Sequence, residues 1–379
     1  MKFVVHLYIE CIINYAIISI PALFPFLVLI ILFIFGMTLE GAFKGIEFYV
    51  TPDFEKLKDI KVWSAAANQI FYSLGPAFGG LITLSSYNRF DNNCHRDAIL
   101  IAFINCGTSV FAGFVVFSIV GFMAHSAGEE VEDVITSGPG LAFIAYPDAV
   151  SEMPIPQIWS FLFFFMLLTL GLDSMFTFVE TLTTCVLDHF NQLHKYKAYV
   201  VIGTCFVGFL SGLSMCTNAG IYMFELLDKT CASWNIFIFA ILELILVSWI
   251  YGVKRFMGNI EEMNISIPKV LRYYWIACWS IITPFLLISL VVITFINWEP
   301  LKSLHYITFF GDEESYVWPN SIQVLGWLIP GASVAFIPVL AIYQIVSHYK
   351  QNGTVNMKLL KTTDKWKSVE EKQVQIRFG

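Results

Sequence analysis

Apolar stretches of bilayer-spanning length recur along nearly the whole chain, separated by short polar or charged segments. They fall at about residues 19–36, 62–87, 98–124, 158–187, 198–213, 219–251, 270–298 and 324–346. A transmembrane helix needs about 20 apolar residues. Lipid offers no partner to a backbone N–H or C=O, so such runs close their hydrogen bonds internally as helices. The pattern predicts an all-α polytopic membrane protein with about eight spans in a domain over residues 19–346. Residues 1–18, carrying His6 and Glu10, read as a lead-in or the remnant of a preceding span; the apolar run over 1–36 is too long for a secretory signal and lacks its small-residue cleavage site. Residues 347–379 read as a polar cytoplasmic tail.

One run is interrupted in its middle. Residues 62–87 contain Gly75, Pro76, Gly79 and Gly80. Glycine weakens a helix by about 1 kcal/mol relative to alanine, and proline by about 3 kcal/mol. Two readings follow: a proline kink with no ligand, or a discontinuous helix whose half-helix ends converge on an ion or small solute.

Composition agrees with the pattern. The 379 residues are 57% hydrophobic and only 13% charged, about half the charge of a soluble domain. The net charge of −7 does not set orientation; the placement of Lys and Arg does. With the loop after the broken run in the cytosol, fifteen Lys and Arg lie inside and six outside, which places both termini in the cytoplasm. The acidic segment between the third and fourth spans contains a semi-apolar stretch, 138–156, that reads as a re-entrant lid. The eight Cys form no CxxC pair and read mostly as small buried hydrophobes. Neither a phosphate-binding glycine loop, a nucleophile–base pair, a His cluster nor a nucleic-acid surface is present. The chain is not read as an enzyme, and no organic cofactor is implied.

Polar groups inside spans carry the chemistry. Asp173 lies in Leu167-Leu-Thr-Leu-Gly-Leu-Asp-Ser-Met-Phe-Thr-Phe178. A carboxylate at the centre of a span costs about 2.5–3.5 kcal/mol on insertion scales. With the hydroxyls of Thr169, Ser174 and Thr177 beside it, this is hard-oxygen chemistry suited to Na+ or a proton. The competing reading, a carboxylate paired to an intramembrane Lys or Arg, finds no such partner in the spans. Glu180 and Glu243 have no polar cluster and read as protonated or hydrogen-bonded structural groups. Gln69 and Ser73, and Asn105 and Ser109, are two i,i+4 pairs on separate helices; they fit either an ion site or interhelical hydrogen bonding. Asp228 and Asp188 sit near span ends as gates or as solvated charges.

These segments resemble the neurotransmitter:sodium symporter family. The resemblance rests on Gln69-Ile-Phe-Tyr-Ser-Leu-Gly-Pro-Ala-Phe-Gly79, Ser86-Tyr-Asn-Arg-Phe-Asp-Asn-Asn-Cys94, Leu168-Thr-Leu-Gly-Leu-Asp-Ser174 and Val247-Ser-Trp-Ile-Tyr-Gly252. It implies a partial inverted-repeat symporter fold in which the eight spans match the family's fifth to twelfth and the first four are missing. It also implies sodium ligands at Ser73 and Asn105 for one site, and at Leu170 (carbonyl), Asp173 and Ser174 for the other. Chloride would be held by Gln69, Ser73, Asn105 and Ser109. Tyr72, Ala77, Phe78, Ser174, Met175 and Phe178 match the substrate pocket, Asp228 the outer gate, and Tyr87 and Asp188 the inner gate. Asn297-Trp-Glu-Pro300, Val324-Leu-Gly-Trp327 and Gly220-Ile-Tyr-Met-Phe224 are similar to glycine transporters, whereas Ser73-Leu-Gly-Pro76 is similar to monoamine carriers. The expected activity is Na+- and Cl−-coupled symport of a small neutral, glycine-like amino acid across the plasma membrane. Alternatives are a carrier for a monoamine or another amino acid, and a truncated member that does not transport or a partial gene model. The implied partners are that small-molecule substrate, membrane lipid and, in a homo-oligomer, further copies of the chain.

Overall fold

The structure is a computed structural model that describes residues 23–134, 143, 146–151, 155–218, 220–231, 233–263, 265–297, 302–307 and 313–352. Among the described residues, six helical segments are long and apolar enough to cross a membrane: Cys94–Ala127, Pro156–His189, Asn191–Cys216, Gly220–Glu261, Lys269–Ile296 and Asn320–Ser347. The shorter apolar helix Leu23–Gly36 and the interrupted run near residue 75 fall where the other two spans are expected, though each helix there is shorter than a span. The helical polytopic architecture is therefore as the hydropathy pattern implies. The lead-in over 1–18 lies outside the described residues. So does the tail, except for the end of a helix that continues to Asn352. In the segment read as a re-entrant lid, Tyr146–Ser151 is helical. A short antiparallel hairpin, β1 (Lys302–Ile307) with β2 (Glu313–Val317), was not foreseen; it lies in a connection between spans and leaves the helical class unchanged.

The chain divides into two compact units: Met1–Val62 with Arg96–Val201, and Trp63–His95 with Ile202–Gly379. The first unit contains α1 (Leu23–Gly36), α2 (Ala42–Val50), α5 (Cys94–Ala127) and α6 (Pro156–His189). All of these but α2, together with the short helix Tyr146–Ser151, contribute a core of Val28, Leu32, Val115, Ile119, Val150, Phe163 and Met166. Small residues let α2 and α5 touch backbone to backbone. A Cβ added at Gly45 would collide with the Phe117 carbonyl, and one at Gly121 would meet the amide of Gly45. This is the close approach that glycine permits between membrane helices.

The second unit contains α3 (Ile60–Leu74) from Trp63 onward, α4 (Gly80–Ser86), α8 (Gly220–Cys231), α9 (Trp234–Ile245), α10 (Val253–Glu261), α11 (Lys269–Ala277), α12 (Thr283–Ile296) and α13 (Asn320–Asn352). Between the units' sequence halves runs α7 (Lys197–Leu213). The core of the second unit joins Phe237, Ala240 and Leu287, with Phe71 and Ala77 packed against them. Two π-helical turns, Leu246–Gly252 and Cys278–Ile282, are tied together where Ser248 Oγ donates to the Trp279 carbonyl at 3.1 Å.

Candidate functional site

The interruption near residue 75 is a true helix break. The α3 helix ends as the Gly75 amide donates to the Phe71 carbonyl at 3.1 Å. Gly75, Ala77 and Gly79 then adopt φ values of 62°, 63° and 81°, all in the left-handed region. Glycine takes this conformation freely and closes helices with it. Alanine does so at a cost of about 1–2 kcal/mol, which packing of Ala77 against the Phe237–Leu287 core offsets. The chain re-enters helix at Gly80 with Gly79 as a cap that offers no side chain.

A second interruption was not foreseen in the run over 219–251. The chain leaves helical geometry at Ser233 (φ −114°, ψ −134°) between α8 and α9. Asn235, 4% exposed, bridges it. Its Oδ1 accepts the Ser233 amide at 3.0 Å, and its Nδ2 donates to the Cys231 carbonyl at 3.1 Å.

A cavity of ≈ 480 Å³, a size usual for small-molecule sites, joins the second interruption to the helix that runs into the first. From α3 it is lined by Ala65, Asn68, Gln69 and Tyr72, an i, i+3, i+4, i+7 stripe, together with Phe71. From α8 come Asp228 and Lys229, and from the second interruption Ser233 and Trp234. Ile236 and Phe237 of α9 and Thr294 of α12 complete it. Phe71 contacts Phe237 with ring centroids 5.0 Å apart, and Tyr72 meets Phe78 edge-on at 6.1 Å. Lys229 Nζ donates to Glu225 Oε1 at 2.8 Å, whereas among the described residues no cation forms an ion pair with Asp228. The cavity thus offers an anionic group, an ammonium already partnered along its own helix, amide and hydroxyl groups, and aromatic walls. That is the equipment for holding a small amphoteric or cationic molecule without covalent chemistry.

The structure brings together Gln69, Tyr72 and Asp228, which the sequence assigned separately to an anion site, a substrate pocket and a gate. Ser73 and Tyr87 belong to the same unit, Ser73 near the end of α3 and Tyr87 just after α4. Ala77 packs into the core of that unit.

The remaining assigned residues lie in the first unit. Asn105 and Ser109 are on α5, with Ser109 Oγ donating to the Asn105 carbonyl at 3.0 Å. Leu170, Asp173 and Ser174 form an i, i+3, i+4 set on α6, where Met175, Phe178 and Asp188 also lie. Leu170, Met175 and Phe178 are exposed. Among the described residues no Lys or Arg pairs with Asp173. Glu180, two turns further on, accepts from Lys197 Nζ at 2.8 Å. The hydrogen-bonded reading of Glu180 holds, with a cation as its partner. A carboxylate, a hydroxyl and a carbonyl on one helical face fit a hard monovalent cation.

A family model described as the sodium:neurotransmitter symporter family matches residues 9–348. The chain is 48% identical over 328 residues to the sodium- and chloride-dependent neutral and basic amino acid transporter B(0+) of Homo sapiens, covering 86% of this chain and 50% of that relative. It is 44% identical over 325 residues to the sodium- and chloride-dependent glycine transporter 2 of Xenopus laevis, covering 86% and 40%. It is 40% identical over 343 residues to the sodium-dependent dopamine transporter of Caenorhabditis elegans, covering 90% and 53%. The chain spans about half the length of the relatives it matches.

Proposed function

The chain belongs to the sodium:neurotransmitter symporter family, and on that premise we propose that it works in Na+- and Cl−-coupled symport of a small neutral amino acid. The observation that carries this reading is the single cavity joining Gln69, Tyr72 and Asp228. Asp228 would receive the substrate's ammonium group at the outer mouth, with Tyr72 as the aromatic cover. The set Leu170, Asp173 and Ser174 would hold one Na+ through carbonyl, carboxylate and hydroxyl oxygens. Ser73 and Asn105 would serve a second Na+. Gln69, Ser73, Asn105 and Ser109 would serve Cl−. Ala77, Phe78, Ser174, Met175 and Phe178 would line the substrate pocket, and Tyr87 and Asp188 would close the cytosolic side.

Coupling then follows from differential binding: Na+ favours the substrate-ready conformation, and its release after closure of the outer mouth commits the cycle. The location is the plasma membrane, with both termini in the cytoplasm. Glycine is one substrate of this class. A second substrate class, monoamines, is supported by the dopamine transporter relative and by a carboxylate beside aromatic rings in one cavity.

The test is radiolabelled uptake of glycine, other neutral amino acids and monoamines into vesicles bearing the protein, with Na+ and Cl− each replaced in turn. Asp173→Asn is expected to abolish Na+-dependent uptake. Uptake that survives with unchanged Na+ dependence overturns the ion-site assignment.

A further inference from the structure

The second interruption has its own hydrogen-bonding device, and it reaches a helix outside the cavity. Beyond its bonds to the Ser233 amide and the Cys231 carbonyl, Asn235 Nδ2 donates to Ser333 Oγ of α13 at 3.2 Å. Ser333 Oγ in turn donates to the Pro330 carbonyl at 2.7 Å. Pro330 and Pro338 lie inside α13, and a proline leaves the carbonyl four residues before it without its usual donor. One carboxamide thus uses both of its N–H groups and one oxygen lone pair to join the two sides of the break and the Ser333 hydroxyl. A parallel contact lies beside it: Trp234, which lines the cavity, packs against Trp327 of α13 at 6.0 Å and Phe295 of α12 at 5.7 Å.

We infer that Asn235 is a positioning residue. It fixes the break between α8 and α9 so that Asp228 before it and Ser233 and Trp234 after it face one cavity, and through Ser333 it makes the shape of that cavity depend on α13. Asn235 does not line the cavity; it acts through those that do. The physical reason is local. In an apolar surrounding, the groups freed by a break must be satisfied within the protein, and a buried carboxamide can accept on one side of the break while donating twice through its NH2 group. The consequence for substrate recognition rests on the carrier reading above; the clamp itself does not.

Two measurements on the full chain in lipid nanodiscs separate these parts. Hydrogen exchange of peptides covering residues 231–237, without substrate, reads the clamp. Asn235→Ala is expected to raise exchange there roughly tenfold or more, and Ser333→Ala by a smaller factor, about threefold. The double variant should exchange no faster than Asn235→Ala alone, because both changes break the same network. Unchanged exchange in Asn235→Ala, or strictly additive effects, overturns the inference. If Asn235→Ala fails to fold, Ser333→Ala decides: a rise confined to 231–237 upholds the clamp, and none overturns it.

Uptake kinetics read the positioning. Asn235→Ala is expected to raise KM about tenfold while Vmax changes less than about threefold. A loss in Vmax with KM unchanged overturns the positioning role. Absence of uptake by the unaltered chain counts against the carrier reading, and the exchange data still decide the clamp.

Discussion

Two helix interruptions lie in the same unit, yet they are built by opposite means. At Gly75–Gly79 the backbone itself carries the break: two glycines and an alanine in left-handed geometry around a proline. At Ser233 no glycine or proline is present, and the break is held open by the side chain of Asn235. The first kind is fixed mainly by backbone preference, with the packing of Ala77 as its one tie to the core. The second exists only because a carboxamide is buried in the right place, and it ties its surroundings together. A backbone-built break isolates; a side-chain-built break couples.

Substitutions at the two interruptions test that contrast, and the largest effect is expected at the first. Gly79→Val places a β-branched residue at φ 81° and should destabilise the protein by about 2 kcal/mol or more, read as a lowered Tm in detergent. Asn235→Ala removes three hydrogen bonds and leaves buried partners behind. About 2 kcal/mol is expected, with the loss reduced when Ser333 is already alanine; a full, undiminished loss in the Ser333→Ala background would break the contrast. Ala77→Gly should change stability by less than about 1 kcal/mol, because relief of left-handed strain is set against the lost packing of the methyl on the Phe237–Leu287 core and the added freedom of the unfolded chain. The smallest effect belongs to a side-chain cap outside the membrane. Asp53 Oδ1 accepts the amides of Glu55 at 2.9 Å and Lys56 at 3.4 Å. The bond from the Glu55 amide, then that from Lys56, holds its carboxyl below the ordinary value of 3.8. A depressed carboxyl contributes above its unfolded pKa and is lost as pH falls through the folded one. The NMR shift of the Glu55 amide should therefore titrate below pH 3.8.

The same contrast explains what could be read from the chain. Gly75, Pro76 and Gly79 announce their break because glycine and proline act through the backbone, which needs no tertiary information. The spans were legible for a similar reason: lipid imposes one length and one polarity on every helix. Asp173 stood out because a carboxylate in an apolar run has few structural uses. Ser233 and Asn235 gave only a weak signal, two capping-type residues two apart in an apolar run, and such residues also sit in helices with their side chains bonded elsewhere. Their role depends on Ser333, about a hundred positions away, and only the fold supplies that. Lys197 as the partner of Glu180 was hidden likewise, since it belongs to the start of the next helix. Asn68 and Thr294 joined the cavity for reasons of helix rotation that no single-residue rule expresses.

The contact between α2 and α5 has a mechanical side. Most helix pairs are separated by side chains, and rotamer changes there act as springs that absorb small shifts. Between Gly45 and Gly121 there is no such cushion, because backbone meets backbone. A push on α2 reaches α5 without slack and travels along a continuous helix rod. Asn105 lies on that rod sixteen residues from Gly121, about 24 Å away at 1.5 Å per residue. The short helix after the first span is thus geared directly to the polar positions of α5, and an alanine at Gly45 would act as a wedge in the gear.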